Sequence, residues 1–125
     1  MPDVSVSKTE LRISFFLRVA TLLILCKFKK IKLMPICFHR SDEDQNKRYQ
    51  QGRTTPGRIV TFCDGYIKRS KHQDWKAIDF VVVIDDVLIW DDHPHYQTAG
   101  RIWKRLGGKW GGDFDKINDI YHFEA

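Results

Sequence analysis

The first third of the chain carries hydrophobic residues at helical spacing. From Leu11 onward, apolar side chains recur three or four positions apart, which predicts an amphipathic helix with one face on the core. We expect Thr9 to cap this helix, a start near Glu10, and an end in the lysine-rich residues 27–30, where cations suit the negative helix terminus. The expected core-facing positions are Leu11, Phe15, Val19, Leu22 and Leu23, broadened by Ile13, Phe16, Leu17 and Ile24.

Three later segments have the composition of β-strands. Residues 31–38 predict a strand in which Pro35 indicates an edge position or a bulge. Residues 77–90 carry the strongest β pattern and predict two strands joined by a tight Asp-Asp turn. Residues 119–124 predict a short closing strand.

Two further helices complete the predicted elements. Ser41 and Asp44 resemble a capping box, with Asp in place of the usual Glu or Gln, and predict a helix over residues 42–51. Residues 95–106 predict another helix. Because strands do not alternate regularly with helices, we expect an α+β fold with a small antiparallel sheet flanked by helices, rather than a doubly wound fold.

Length and composition fit a single folded domain. The chain has 125 residues, of which 42% are hydrophobic and 30% charged, so wholesale disorder is excluded. We assign residues 1–8 to a loose N-terminal segment and residues 9–125 to one domain. Residues 11–26 are too short for a membrane span and contain Arg12 and Arg18, and they lack the features of a signal peptide.

Charge is unevenly distributed along the chain. The first 60 residues hold 12 Lys and Arg against 5 Asp and Glu, whereas the remainder holds 9 against 11. A basic first half favours an anionic partner, such as nucleic acid, a membrane surface or a cell wall, or is simply a solvated face. No helix-turn-helix or RNP-like pattern supports nucleic-acid binding, so we expect none.

The three cysteines do not suggest a shared site. Cys26, Cys37 and Cys63 are odd in number and contain no CxxC pair, so neither a disulfide framework nor a cysteine zinc site is predicted. Cys26 and Cys37 have apolar neighbours, and we expect both to be buried free thiols. Free thiols suit synthesis in a reducing cytoplasm.

Asp79 is the most unusual residue, because it lies in an apolar β segment where an ionised carboxylate is costly unless paired or bound to a metal. His72 stands seven residues earlier, and His122 lies in a similar apolar setting. Two histidines and one carboxylate are a typical catalytic zinc set with a position left for water. Alone, each histidine is more often a hydrogen-bonded core residue. His93 and His95 are a rival metal pair, which we interpret as surface residues.

Four motifs in order resemble those of one known family. Residues 70–79, Ser-Lys-His-Gln-Asp-Trp-Lys-Ala-Ile-Asp, resemble the SxHxxGxAxD signature of the M15 peptidases, the D-alanyl-D-alanine carboxypeptidase and L-alanyl-D-glutamate endopeptidase family. Residues 119–124 resemble its DxxHFE terminus, residues 110–114 its WGGDW/F element, and residues 38–45 its YRTxEEQ segment. The resemblance runs from about residue 10 to the last residue.

This resemblance implies a catalytic site. Three zinc ligands are implied: His72, Asp79 and His122. It also implies a general base at Asp119, a cation at Arg40 that contacts substrate or stabilises the transition state, and support of the first ligand by Ser70. Positions i and i+3 of a strand face opposite sides, so we expect Asp119 in the loop before the final strand. Arg40 has an alternative interpretation as a surface arginine near a helix start.

One residue departs from the family motif. Trp75 stands where the family has glycine, a residue that permits a positive φ or close packing. We expect this change to affect the geometry of the cleft more than metal binding, because all three implied ligands are retained.

The implied function is cleavage of peptidoglycan stem peptides by a zinc enzyme. An Asp at position 119 resembles the endopeptidase branch, which implies cleavage between L-alanine and D-glutamate, as in many phage endolysins. The alternatives are a D-alanyl-D-alanine carboxypeptidase and a non-catalytic zinc-binding module of the same hedgehog-like fold. We expect a monomer without an integral membrane segment. If phage-encoded, it is expected in the host cytoplasm before release to the periplasm and cell wall.

Overall fold

A computed structural model describes residues 7–125 and shows three α-helices and five β-strands among them. In chain order the elements are α1 (Lys8–Phe28), β1 (Lys32–Cys37), α2 (Asp42–Gln50), β2 (Ala77–Ile84), β3 (Val87–Ile89), α3 (Pro94–Arg105), β4 (Lys109–Trp110) and β5 (His122–Glu124). A 3₁₀ turn, Gly111–Asp113, follows β4. Most of the loose segment predicted at residues 1–8 lies outside the described residues, and Lys8 already belongs to α1.

The sheet is antiparallel throughout and is centred on β2. β1 pairs along one side of β2, β3 and β5 pair along the other side, and β4 pairs with β5. The register shifts between Pro35 and Cys37, so the predicted bulge on an edge strand is confirmed. The predicted α+β class, with a small antiparallel sheet flanked by helices, is confirmed as well.

A tight turn joins β2 to β3, as predicted. Asp85 and Asp86 have φ angles of 50° and 63°, the left-handed conformation that two-residue hairpin turns require. Aspartate tolerates this conformation better than most residues, because its short side chain can hydrogen-bond locally.

The hydrophobic core lies between one face of the sheet and the helices α1 and α3. Phe15 of α1 contacts Trp103 of α3 edge-on, with ring centroids 5.6 Å apart, and Trp103 in turn contacts Phe123 of β5. Phe80 and Phe123 pack against each other on this face. Side chains alternate along a strand, so the neighbours of these two phenylalanines, Asp79 and His122, point to the opposite face.

The start and the buried face of α1 differ from the prediction. Ser7 caps the helix instead of Thr9: its hydroxyl accepts from the Glu10 N–H, and the Glu10 carboxylate accepts from the Ser7 N–H. The buried residues form a single narrow stripe, namely Phe15, Val19, Leu22 and Cys26. Six residues expected in the core are instead 37–61% exposed: Leu11, Ile13, Phe16, Leu17, Leu23 and Ile24. A small sheet and one neighbouring helix cover only one side of α1, so the rest of its apolar surface stays uncovered. Within residues 7–125, no helix is long and apolar enough to cross a membrane.

A long irregular segment covers the other face of the sheet. Residues 51–76 contain neither helix nor strand, apart from an isolated bridge between Gln51 and Thr55. The buried Gln45 of α2 donates to the Cys63 carbonyl and the Thr61 hydroxyl. The buried Gln73 donates to the Gly65 carbonyl and the Asp42 carboxylate. These bonds attach the segment to α2 and fix the position of the residue before Gln73.

Candidate metal centre and cleft

Asp79 lies at the centre of a cluster of histidines. Strand register places His122 of β5 directly opposite Asp79 of β2, and the segment before β2 brings His72 to the same carboxylate. Asp79 Oδ1 is 3.1 Å from His122 Nδ1 and 3.2 Å from His72 Nε2. The side chains are 13%, 13% and 3% exposed for Asp79, His122 and His72. The three residues predicted as ligands are therefore brought together in a nearly buried position.

Backbone contacts fix the orientation of His72. Its Nδ1 lies 3.0 Å from the Phe38 carbonyl, which can only accept, so Nδ1 carries a proton and Nε2 faces the cluster. The His72 carbonyl accepts from the Arg40 N–H at 3.3 Å, and the Ser70 hydroxyl accepts from the His72 N–H at 3.2 Å. Ser70 thus supports the backbone of His72, which is the role that the motif implied for Ser70.

Glu124 orients His122 and was missed in the sequence analysis. Its Oε1 lies 2.9 Å from His122 Nε2 and accepts a hydrogen bond from that nitrogen when it is protonated. This contact orients the ring so that its other nitrogen, Nδ1, faces Asp79. Carboxylate partners of this kind commonly hold metal-binding histidines in position. A signal was available, because Glu124 ends the same motif, and residues two apart in a strand share a face.

The two histidines of this cluster hold protons that a bound metal ion would have to displace. Burial lowers the pKa of His72, but its contacts with Asp79, Cys37 and the Phe38 carbonyl together outweigh burial and raise that pKa to about 9. Burial likewise lowers the pKa of His122, and its bonds to Asp79 and Glu124 raise it to about 9. Burial raises the pKa of Asp79, yet the bonds from His122 and His72 hold it well below its usual range. Metal-free, the site is an anion between two cations.

The donor atoms fit a divalent metal. Two overlapping groups of three have donor atoms within 4.8 Å of one another: Cys37, His72 and Asp79 in one, and Asp79, Asp119 and His122 in the other. Both groups share Asp79. Imidazole nitrogen and carboxylate oxygen are typical ligands of catalytic zinc, and both ring orientations leave a nitrogen directed at the shared carboxylate.

Asp119 lies just before β5 rather than within it, as predicted. Its N–H donates to the Gly111 carbonyl at 2.9 Å, and its Oδ1 accepts from the Tyr121 N–H at 3.1 Å. A Cβ on Gly111 would clash with the Asp119 carbonyl oxygen, so the Trp-Gly-Gly segment needs glycine here to approach it. Burial, reinforced by the negative charge of Asp79, raises the pKa of Asp119 above its ordinary value. Such a carboxyl is well suited to hold a proton and release it again.

Arg40 is mostly buried, so its alternative interpretation as a surface arginine is wrong. Its guanidinium donates to Gln45 Oε1 at 2.6 Å and to Cys37 Sγ at 3.4 Å. Gln45 is itself held by the segment of residues 51–76. These contacts fix a cation beside the histidine cluster.

Cys37 lies in the site, although the sequence analysis expected only an inert buried thiol. It is partly exposed, and its sulfur is 3.8 Å from His72 Nδ1. The contact with His72 lowers the pKa of the Cys37 thiol, despite the opposing effect of partial burial. Cys26 is buried as predicted, and Cys26, Cys37 and Cys63 are all free thiols.

Trp75 adopts a backbone conformation that glycine favours. Its φ is 60°, in the left-handed region. The indole stacks on His39, with centroids 3.9 Å apart and planes 10° from parallel, and meets Phe38 edge-on. It lines an apolar hollow beside α1, not the cleft at the metal centre, so the expected effect of Trp75 on that cleft is not seen.

His93 and His95 have a structural explanation. His93 is the N-cap of α3, and its Nδ1 accepts from the His95 N–H at 3.0 Å. Both are partly buried rather than surface residues, because the helix start packs against the domain. Within the described part of the chain they join no group of three metal donors.

An open cleft of about 370 Å³ gives access to the cluster. All six residues singled out from the sequence line it: Arg40, Ser70, His72, Asp79, Asp119 and His122. The strand register brings Asp79 and His122 together, the bond to Gly111 places Asp119, and the bonds between α2 and residues 51–76 bring in Ser70 and His72.

Known proteins resemble this chain in sequence and fold. A family model described as D-alanyl-D-alanine carboxypeptidase matches residues 64–125. The peptidoglycan L-alanyl-D-glutamate endopeptidase CwlK of Bacillus subtilis (strain 168) is 37% identical over 94 residues, which cover 68% of this chain and 55% of CwlK. The chain thus spans about half the length of this curated relative. The crystal structure of the Serratia marcescens L-Ala D-Glu endopeptidase ChiX matches with a TM-score of 0.61 and 21% identity, over 86% of this chain and 75% of that one, and shows a shared fold.

Proposed function

This chain belongs to the M15 peptidase family, and we propose that it is a zinc-dependent peptidase that cuts the bond between L-alanine and D-glutamate in peptidoglycan stem peptides. One observation carries the proposal: Asp79 holds two oriented histidines in an open cleft, with the raised-pKa carboxyl of Asp119 within 4.8 Å of the donor atoms of Asp79 and His122. The endopeptidase CwlK, as a relative, supports the choice of bond.

In this proposal, zinc is held by His72 Nε2, His122 Nδ1 and an oxygen of Asp79. When bound, zinc polarises the scissile carbonyl and makes water a stronger nucleophile at neutral pH. To bind zinc, His72 and His122 would each release a proton from the nitrogen that faces Asp79. The Phe38 carbonyl and Glu124 hold the two rings in the productive orientation, because each accepts from the ring nitrogen that faces away from the metal.

Asp119 acts as the general base in this mechanism. Its carboxylate takes a proton from the attacking water and delivers it to the leaving amine nitrogen. The raised pKa brings the carboxyl nearer to the operating pH, which favours both halves of this transfer. Arg40 provides positive charge for the substrate carbonyl oxygen as negative charge develops on it, since its guanidinium is already fixed by Gln45.

A D-alanyl-D-alanine carboxypeptidase is the second candidate, because the matching family model carries that description. The same metal and base serve either reaction, so only the products distinguish them. The expected monomeric state, the lack of nucleic-acid binding and the release from a host cytoplasm to the cell wall remain predictions.

Mass spectrometry of digested peptidoglycan tests the proposal. The zinc-loaded protein should leave L-alanine on the glycan and release peptides that begin with D-glutamate, while a His72→Ala control yields neither. Loss of terminal D-alanine alone would identify a carboxypeptidase instead. Zinc binding without any product would show a non-catalytic module, and activity that persists in excess chelator would exclude the metal mechanism.

A further inference from the structure

The charged side chains of the cleft are segregated. Its three carboxylates, Asp79, Asp119 and Glu124, all belong to the cluster at the metal centre. Away from that cluster, the cleft is lined by four basic residues: Arg48, Lys68, Arg69 and Lys71. The cleft therefore has all its carboxylates at the metal centre and a positive wall away from it.

Among residues 7–125, three of the four cations on this wall have no carboxylate partner in a salt bridge. Arg69 pairs with Asp42 at 3.2 Å and with Asp74 at 3.3 Å. Across residues 7–125, no salt bridge involves the other three cations: Arg48, Lys68 and Lys71. Grouping three like charges around one cleft costs free energy through mutual repulsion, and an anionic ligand would remove that cost.

The backbone presents these cations in a fixed arrangement. Asp64 Oδ1 accepts from the N–H groups of Tyr66, Ile67 and Lys68, at 3.1, 3.0 and 2.8 Å, which closes the turn that carries Lys68. Asn46 of α2 donates to the Asp64 carbonyl at 2.9 Å and so attaches this turn to the helix that carries Arg48.

Lys71 directly precedes the proposed ligand His72 and lines the same cleft. Its carbonyl accepts from the Lys76 N–H at 3.0 Å and from the Asp74 N–H at 3.2 Å, so its backbone is held in a turn. The position of Lys71 relates the positive wall to the metal centre.

The proposed substrate has a matching charge. A glutamate whose amine is acylated retains two carboxyl groups, and the continuing peptide uses only one of them. The other remains a free carboxylate, or an uncharged amide where it is modified, within a few bonds of the scissile nitrogen. We propose that Arg48, Lys68 and Lys71 form a subsite that binds this free carboxylate, so that the protein prefers acidic stem peptides to amidated ones. This inference rests on the proposed function and adds a selectivity to it.

The interaction should act mainly on substrate binding. The three side chains are exposed, so each ion pair with substrate is screened, and neutralising one cation should reduce kcat/KM about 2- to 5-fold. Neutralising all three should reduce it by roughly 10- to 100-fold for the acidic substrate, chiefly through KM. Cleavage of the amidated substrate should change little.

Two synthetic stem peptides test this subsite. They differ only in whether the free carboxyl of the D-glutamate is a carboxylate or an amide. The zinc-loaded protein is compared with the triple variant Arg48→Gln, Lys68→Gln and Lys71→Gln. Lys47→Gln is the matched control, because Lys47 is an exposed cation on the same helix that does not line the cleft.

We expect the unmodified protein and the Lys47→Gln control to prefer the acidic peptide at least 10-fold, and the triple variant to lose this preference. Equal cleavage of both peptides by the unmodified protein, or an unchanged preference in the triple variant, would overturn the subsite. If neither peptide is cleaved, the proposed function fails. Calorimetric binding of the two peptides then tests the subsite independently of cleavage. Tighter, salt-sensitive binding of the acidic peptide that the triple variant loses would support it, and equal binding would overturn it.

Discussion

The left-handed backbone at Trp75 makes a quantitative prediction about stability. An L-residue in this conformation costs about 1–2 kcal/mol, whereas glycine adopts it freely. Glycine, however, loses about 0.5–1 kcal/mol through the greater conformational freedom of its unfolded chain. Trp75→Gly and Trp75→Ala remove the same stacking on His39 and Phe38, so this contribution cancels when the two variants are compared. We therefore expect the glycine variant to be about 1 kcal/mol more stable than the alanine variant.

Urea unfolding of the two zinc-loaded variants measures this difference. With a denaturant dependence of about 2 kcal/mol/M, typical of small proteins, the midpoints should differ by roughly 0.5 M. Trp90 supplies the control, because it is also a half-exposed tryptophan but does not have a positive φ. At that position the order should reverse, with Trp90→Ala more stable than Trp90→Gly. An alanine variant at position 75 as stable as the glycine variant would refute the assignment of strain.

Four further predictions concern the metal centre and its surroundings. In chelator, the raised pKa values of His72 and His122 contribute stability that is complete below pH 6.5 and lost as pH rises through about 9. Between pH 6.5 and about pH 9, the free energy of unfolding should therefore fall by roughly 3 kcal/mol for each histidine, and thermal melts should show a falling melting temperature. A melting temperature that stays constant over this range would contradict the prediction. Glu124→Gln should weaken zinc binding about 10-fold or more in a competition titration, and unchanged affinity would exclude its orienting role. Asp119→Asn should retain zinc but lower kcat at least about 100-fold, and a variant with near-normal turnover would place the base elsewhere. His93→Ala should cost about 1 kcal/mol by removing the α3 cap, with zinc stoichiometry unchanged; loss of zinc would move the site to the 93–95 segment.

The residues of the site were predictable from sequence because the motifs fix them locally. His122 and Glu124 share a face through strand alternation, and Asp79 is recognisable as a carboxylate in an apolar strand. Cys37 was not predictable as a neighbour of the site. Its position opposite Asp79 depends on the register of β1 against β2, which shifts at Pro35. A single sequence does not encode such long-range register in any local pattern.

The start of α1 shows a second reason why prediction failed. Ser7 and Thr9 are both favourable caps by residue type, and the choice is decided by Glu10, which lies three residues after Ser7 and completes the reciprocal pair. The buried face of α1 failed for a different reason. Its apolar residues surround the helix, so periodicity alone could not select the narrow stripe that the sheet and α3 cover.

The metal centre combines two kinds of positional control, and they should not be equally robust. The β2–β5 ladder fixes Asp79 opposite His122, since a one-residue shift of either strand would turn that strand's ligand into the core. No ladder holds His72. Its position depends on the bond from Gln45 to the Cys63 carbonyl and the bond from Gln73 to the Asp42 carboxylate, which tie the irregular segment to α2. Loss of the buried amide of Gln45 or Gln73 would leave its hydrogen-bond partners unpaired and release the irregular segment from α2. Of the three proposed ligands, His72 is therefore the one whose position depends on residues outside its own motif, residues 70–79.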